Sequence, residues 1–155
     1  MAYTIIELLD KLILIEKNGY DMFINIAVNE RLKDKIKMIA RIFANEEKRH
    51  GEMYKKLKEE ISHENNIEIG FEIYDKASKL AFQFLNNDRT ANLENEKDIL
   101  EFSLNFEKEN LALILSIQGL LVREQRDANT EKYRVLDKII SEEQKHIRNI
   151  EDFLY

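Results

Sequence analysis

The chain has 155 residues and a formal net charge of −6. That length suits one domain over residues 1–155, and that charge argues against nucleic acid and anionic membrane surfaces as partners, since both select basic faces. Cysteine and proline are absent and glycine occurs four times, which excludes disulfides, thiolate nucleophiles and cysteine-held metal or iron–sulfur centres and favours long helices over turn-rich β architectures.

The first predicted helix runs from about Thr4 to Ala27, with Thr4 and Glu7 in a capping-box pattern. Its apolar face reads Leu9, Leu12, Ile13, Tyr20, Phe23, Ile26 and Ala27. Glu7, Asp10, Lys11 and Glu16 interrupt residues 1–17, so no signal-peptide core is present. No segment approaches the roughly 20 uncharged residues of a membrane span. A soluble, cytoplasmic chain is the expectation.

A second helix is predicted from about Arg31 to Ile61, with Ile36, Ile39, Phe43, Met53, Tyr54 and Leu57 on one face. Residues Asn65 to Gly70 break the pattern. A shorter helix follows from Phe71 to Leu85, with Ile73, Ala77, Leu80, Ala81 and Phe84 in phase, and Asn86-Asn87-Asp88 ends it. The third long helix runs from about Asn95 to Val122 and the fourth from about Asn129 to Phe153, with a turn and cap at Asp127 to Thr130. Short links make antiparallel hairpins of the first two and last two long helices. The long middle segment is a crossover carrying the short helix. The fold class is therefore all-α, a four-helix bundle of ferritin-like topology.

The two hairpins repeat one another. Ile15-Glu16-Lys17 matches Phe106-Glu107-Lys108, and Asn45 to His50 matches Ser141 to His146. A ligand site on the resulting pseudo-two-fold axis would take the same residues from each half. The residues in phase with the apolar stripes are Glu16, Glu47, His50, Glu107, Glu143 and His146. Buried carboxylates are costly unless cations accompany them, and two divalent ions balance four carboxylates. One Glu from each of two helices and a Glu-x-x-His from each of the others is the di-iron or di-manganese set of ferritin-like bundles.

Glutamate supplies 21 of the 155 residues, so an isolated Glu-x-x-His means little. Glu60-Ile61-Ser62-His63 has the same spacing but points roughly 140° away from the Glu47/His50 face, at about 100° per residue. Phase, repetition and the companion glutamates carry the assignment. Glu109 is the alternative to Glu107. Glu46 and Glu142 lie one residue off the core face. Tyr20 and Tyr54, one turn from ligands, are either core tyrosines or hydroxyls bonded to ligating carboxylates. Gly19 is a candidate for leaving room beside a metal-bound molecule.

The segments Ile15 to Tyr20, Asn45 to Met53, Phe106 to Asn110 and Ser141 to Ile147 resemble the rubrerythrin-like branch of the ferritin-like di-iron carboxylate superfamily, over essentially the whole chain. The resemblance implies a centre of two iron ions bridged by glutamates, peroxide or dioxygen as substrate, and often a homodimer. Manganese or zinc also suits histidine and carboxylate ligands. Two departures stand out. There is no cysteine-rich electron-transfer domain, so electrons would come from an external donor. The extra third-helix glutamate of rubrerythrins is missing, because Leu104 and Asn110 flank Glu107 by one turn. The leading expectation is an oxidoreductase that reduces peroxide or dioxygen, acting in oxidative stress. Iron handling or ferroxidation for storage, and a non-catalytic bundle stabilised by metal, are the alternatives.

Overall fold

Thr4 starts the first helix as its sequence context predicts. In the computed structural model, Glu7 Oε2 accepts from the Thr4 N–H at 3.3 Å, and helix α1 spans Ile5–Ala27. The structure describes residues 3–64, 68–87, 89, 92–121 and 131–155, excepting the side chains at 61–64, 121 and 131–133. After α1, the Asn29 side chain accepts the Arg31 N–H at 3.0 Å. That local turn competes with helix, so α2 begins later than predicted and spans Asp34–Glu64. Helix α3 spans Phe71–Leu85, the predicted bounds. Asn95 and Asp98 then cap each other: Asn95 Oδ1 accepts the Asp98 N–H at 3.0 Å, and Asp98 Oδ2 accepts the Asn95 N–H at 3.2 Å. This starts α4, Glu96–Leu121. Helix α5 spans Glu131–Leu154. The turn predicted at Asp127 to Thr130 lies outside the described residues, as does Asp88.

Residue pairs fix the helix directions. Asp10 pairs with Lys58 at 2.7 Å while Gly19 approaches Glu47, so α1 and α2 are antiparallel. Glu16 bonds Asn110 while Phe23 meets Phe102, so α1 and α4 are antiparallel. Tyr54 bonds Glu143 while Phe43 meets His146, so α2 and α5 are antiparallel. Since α4 runs against α1, α1 against α2 and α2 against α5, α4 and α5 are antiparallel too. Helices α2 and α4 therefore point the same way. One long crossover must return the chain along the bundle, and α3 lies in it.

Two features of the crossover are not predicted. Strand β1, Tyr3–Thr4, pairs antiparallel with β2, Glu68–Ile69. Two residues a side are too few to show alternation in sequence. Tyr3 also stacks on Tyr74 with ring centroids 4.0 Å apart, tying the start of α1 to α3. Arg89 holds the other end: its guanidinium lies 4.2 Å from the Phe84 ring, donates to Phe84 O at 3.0 Å, and bonds Glu109 at 3.1 Å.

The core runs the length of the bundle, from Ile5, Leu9 and Tyr54 to Phe23, Ile36 and Ile99. Phe153, which continues the apolar series of α5 by periodicity, is instead 81% exposed, while Leu154 beside it packs against the core. Among the described residues no helix is long and apolar enough to cross a membrane.

Candidate metal centre

The buried stripes of the four long helices converge at mid-bundle, and each delivers an ionisable residue. Helix α1 buries Leu12, Ile15, Glu16, Gly19 and Phe23. Helix α2 buries Phe43, Ala44, Glu47, His50 and Tyr54; α4 buries Ser103, Phe106, Glu107 and Asn110; α5 buries Ile139, Ile140, Glu143 and His146. Glu16, Glu47, His50, Glu107, Glu143 and His146 are each at most 5% exposed. The structure brings all six together. It puts Glu107 in the cluster and Glu109 on the surface with Arg89. Glu60 is exposed, and the His63 side chain lies outside the described residues.

His50 Nδ1 lies 3.2 Å from Glu143 Oε1 and 3.8 Å from Glu16 Oε2. His146 Nδ1 lies 3.5 Å from Glu107 Oε1. The imidazoles meet nearly edge to face, with centroids 5.2 Å apart. Three overlapping groups each offer ligand atoms within 4.8 Å of one another: Glu16, His50 and Glu143; Glu107, Glu143 and His146; Glu47, His50 and His146. That spread is close to the roughly 4 Å that donors about 2.1 Å from one ion can span. These buried groups can hold a metal ion.

Polar satisfaction argues the same way. Buried polar atoms normally have partners. Here both oxygens of Glu47 and Glu107, Glu16 Oε2, Glu143 Oε2 and all four imidazole nitrogens make no hydrogen bond among the described residues. Such a concentration of orphaned donors of one chemical kind, carboxylate oxygen and imidazole nitrogen, fits divalent metal.

Two hydrogen bonds do reach the cluster. The Tyr54 hydroxyl donates to Glu143 Oε1 at 2.5 Å, a length typical of a charged acceptor. Asn110 Nδ2 donates to Glu16 Oε1 at 3.1 Å. Tyr54 therefore takes the carboxylate-bonded role of the two that its sequence position allows. Tyr20 does not: it is half-buried, and its hydroxyl bonds no carboxylate of the cluster among the described residues. One turn is 40° short of four residues, and this displaces Tyr20 toward the surface while Gly19 faces inward. Gly19 does not leave room for a bound molecule either. A Cβ there would lie 3.0 Å from Phe106 Cζ and 3.1 Å from Glu47 Oε2, so its bare backbone admits those two side chains. The role of Asn110 escapes the sequence analysis, which reads that position only for a missing glutamate; its burial phase on α4 is the signal. One residue off the core, Arg49 clamps Glu46 at 3.0 Å and Glu142 at 2.8 Å, tying α2 to α5 beside the cluster.

Without a cation the electrostatics are strained. Burial pushes the Glu16, Glu47 and Glu107 carboxyls well above their usual range, and the neighbouring carboxylates add to it. Burial pushes Glu143 up as well, but His50, Glu107 and the Tyr54 hydroxyl outweigh it and hold Glu143 down at about 2. Burial lowers His50, but Glu143 beside it prevails and the net shift is upward; burial lowers His146. Burial also holds the Tyr54 phenol well above its usual value. Protons thus stand where positive charge is needed, and a cation would displace them.

A pocket of about 340 Å³ between α1 and α2 reaches the cluster at Glu16 and Glu47. No protein-family model, curated protein or solved structure matches the chain.

Proposed function

We propose that this is a ferritin-like, rubrerythrin-like protein that holds two metal ions, iron in the cell, and reduces peroxide or dioxygen with electrons from an external donor. The observation that carries the reading is the overlap of the donor groups. Glu143 belongs both to the group with Glu16 and His50 and to the group with Glu107 and His146. One shared carboxylate between two otherwise separate donor sets is what a two-ion centre requires. Glu47, grouped with both imidazoles, would be the second carboxylate within reach of both histidines' ions.

Glu16, Glu47, His50, Glu107, Glu143 and His146 would hold the two ions, and in the ferrous state these would supply the two electrons that, with two protons, reduce hydrogen peroxide to two waters. The chain has no cysteine, so it carries no iron–sulfur relay of its own to restore them. The remaining work falls to its side chains. Tyr54, whose phenol keeps its proton, fixes one oxygen of Glu143 and leaves the other, which has no partner, for a metal. Asn110 fixes Glu16 in the same way. Ile15, next to Glu16, and Phe43, against the His146 ring, are buried, and the low dielectric of such surroundings strengthens charge interactions inside.

The test is elemental analysis of protein purified without added metal, with Glu47→Ala beside it, followed by anaerobic reduction and mixing with peroxide. About two iron atoms per chain, lost in the variant, and re-oxidation faster than that of free ferrous ion are expected. No metal uptake by a folded wild-type chain overturns the reading. Turnover of many ferrous ions per chain would replace it with iron handling.

A further inference from the structure

The six cluster residues are each at most 5% exposed, so an ion bound among them has first to cross the shell of helices. The α1–α2 pocket crosses it. Its lining runs inward from the exposed Lys17, Asp21, Lys48, Glu52 and Lys55, through the half-buried Ile13, Tyr20 and Gly51, to the buried Glu16 and Glu47. Glu16 Oε2 and both Glu47 oxygens have no hydrogen-bond partner among the described residues. The inner end therefore offers bare carboxylate oxygens, the ligands that divalent ions take in exchange for water. Two further pockets, one beside Phe84 and Glu109 and one beside Met22 and Leu93, are lined by none of the six.

Gly51 keeps the path open. It lies in the interior of α2 with ordinary negative-φ backbone, where glycine costs about 1 kcal/mol relative to alanine. A Cβ there would meet only the Glu16 Cβ, at 3.7 Å, an ordinary contact. Neither backbone conformation nor crowding calls for glycine, and a longer side chain would project into the pocket. The internal repeat supplies the comparison. Gly51 follows His50 on α2 as Ile147 follows His146 on α5, and Ile147 is buried in the core. An isoleucine closes on α5 what glycine leaves open on α2.

Size and depth of charge fit a cation. A divalent ion with roughly six waters occupies about 180 Å³ at about 30 Å³ per water, against about 340 Å³ here. The ion can reach Glu16 and Glu47 before it gives up water. At the mouth, three lysines nearly balance two carboxylates, and their ammonium groups end long stems that stay in water. Further in, the only charged side chains of the lining are carboxylates.

We propose that divalent metal ions reach the buried centre through the α1–α2 pocket, past Gly51, with the unpartnered oxygens of Glu16 and Glu47 as the first ligands they meet. This rests on the two-metal reading for what lies beyond that inner end.

The experiment mixes the metal-free full chain with cobalt(II) by stopped flow. It reads the growth of the visible cobalt spectrum and, at the end, cobalt per chain. Gly51→Ile, which copies Ile147, should take up cobalt roughly tenfold more slowly or worse. Gly51→Ala, which adds only the 3.7 Å contact, should slow it by a smaller factor, and both should reach wild-type content. None of the five rim charges has an ion-pair partner among the described residues, so reversing one breaks no bridge. At low ionic strength Lys48→Glu should speed uptake and Glu52→Lys slow it, each by roughly threefold, with both differences fading in high salt. Lys138→Glu, exposed on α5 and outside the lining, should leave the rate unchanged. Wild-type rates in both Gly51 variants overturn the proposal, as does an acceleration by Lys138→Glu equal to that by Lys48→Glu. If Gly51→Ile loses cobalt content, the rim pair decides: opposite changes in rate uphold the route, and unchanged rates overturn it. End point and rate separate this proposal from the two-metal reading. A wild type that holds no cobalt overturns both, whereas about two cobalt ions per chain, taken up at rates indifferent to these changes, overturn the route alone.

Discussion

Replacing Glu47 by leucine should stabilise the metal-free protein and destabilise the metal-loaded one. Glu47 is fully buried, and neither carboxylate oxygen has a hydrogen-bond partner among the described residues. Burial raises its pKa well above the usual carboxylate range, with Glu107 and Glu16 adding to the shift. At neutral pH the unfolded chain ionises and hydrates this group freely, whereas burial in the folded chain opposes both. An unsatisfied buried polar group costs about 1–3 kcal/mol, and leucine of similar volume removes that cost. At about 2–4 °C per kcal/mol for a chain of this size, the metal-free melting temperature should rise by roughly 2–12 °C. With metal the order reverses. Wild type gains about 2.7 kcal/mol at a free metal concentration a hundred times Kd, and Glu47→Leu loses most of that gain with the shared ligand. Calorimetric melting of both proteins, with chelator and with excess manganese, measures the two differences. If metal-free Glu47→Leu melts below wild type, partners within the protein already satisfy this carboxylate, and the argument that the cluster is shaped for a cation fails.

Tyr54→Phe removes the donor to Glu143 and should lower metal affinity by roughly 10–100-fold, read by competition with a metal indicator; unchanged affinity would reduce Tyr54 to a packing residue. The metal-free protein should have a divided pH response. Glu16, Glu47 and Glu107 are raised in the folded state, so the stability they contribute is complete below pH 4.5 and is lost as pH rises through their folded values. His50, also raised, has the same sign, while His146, lowered, opposes it. Glu143, held at about 2, contributes stability present above pH 4.5 and lost as pH falls through about 2. Metal uptake near pH 6 should therefore release protons into a weakly buffered dye solution, and a proton-neutral uptake would contradict these shifts. Arg89→Ala should cost about 1–3 kcal/mol and speed amide exchange at the C-terminal turns of α3; uniform exchange in variant and wild type would mean that Arg89 does not hold the crossover.

The fold was legible because its determinants are local and repeated. Thr4 with Glu7, the absence of proline, and five stretches of helical period define five helices, and α3 has the predicted ends. The misplacements have local causes that periodicity does not carry. Asn29 turns the chain on its own backbone and delays α2. Tyr3–Thr4 and Glu68–Ile69 pair across more than sixty positions with too few residues to register as strands. Phe153 continues a periodic series, but at that end Leu154 is the residue that packs against the core. Gly19 faces inward and Tyr20 outward because successive residues on a helix differ by about 100°, and the apolar count along α1 does not resolve which of two neighbours is buried.

The six cluster residues were legible for a different reason. A charged side chain in an apolar stripe is a conflict between local pattern and burial, and conflicts of that kind mark sites. Because the two halves repeat, the same conflict appears twice, at Glu16 and Glu107 and at the two Glu-x-x-His pairs. What the repeat hides are the positions where the halves differ. Tyr54, four residues after His50, has Ile150 as its counterpart after His146; Gly19, three residues after Glu16, has Asn110 after Glu107; Gly51 has Ile147. Taken singly in sequence, each is an ordinary core or helix residue. In the structure they bear on Glu16 and on Glu143, the carboxylate that both donor groups share. Tyr54 and Asn110 both donate to the group of Glu16, His50 and Glu143, and Gly51 opens the pocket that ends at Glu16 and Glu47. Among the described residues no such bond reaches Glu107 or His146, and Ile147 stands at the position that Gly51 leaves open. Symmetric residues would build the centre, and the asymmetric ones decide which half is braced and from which side it is approached.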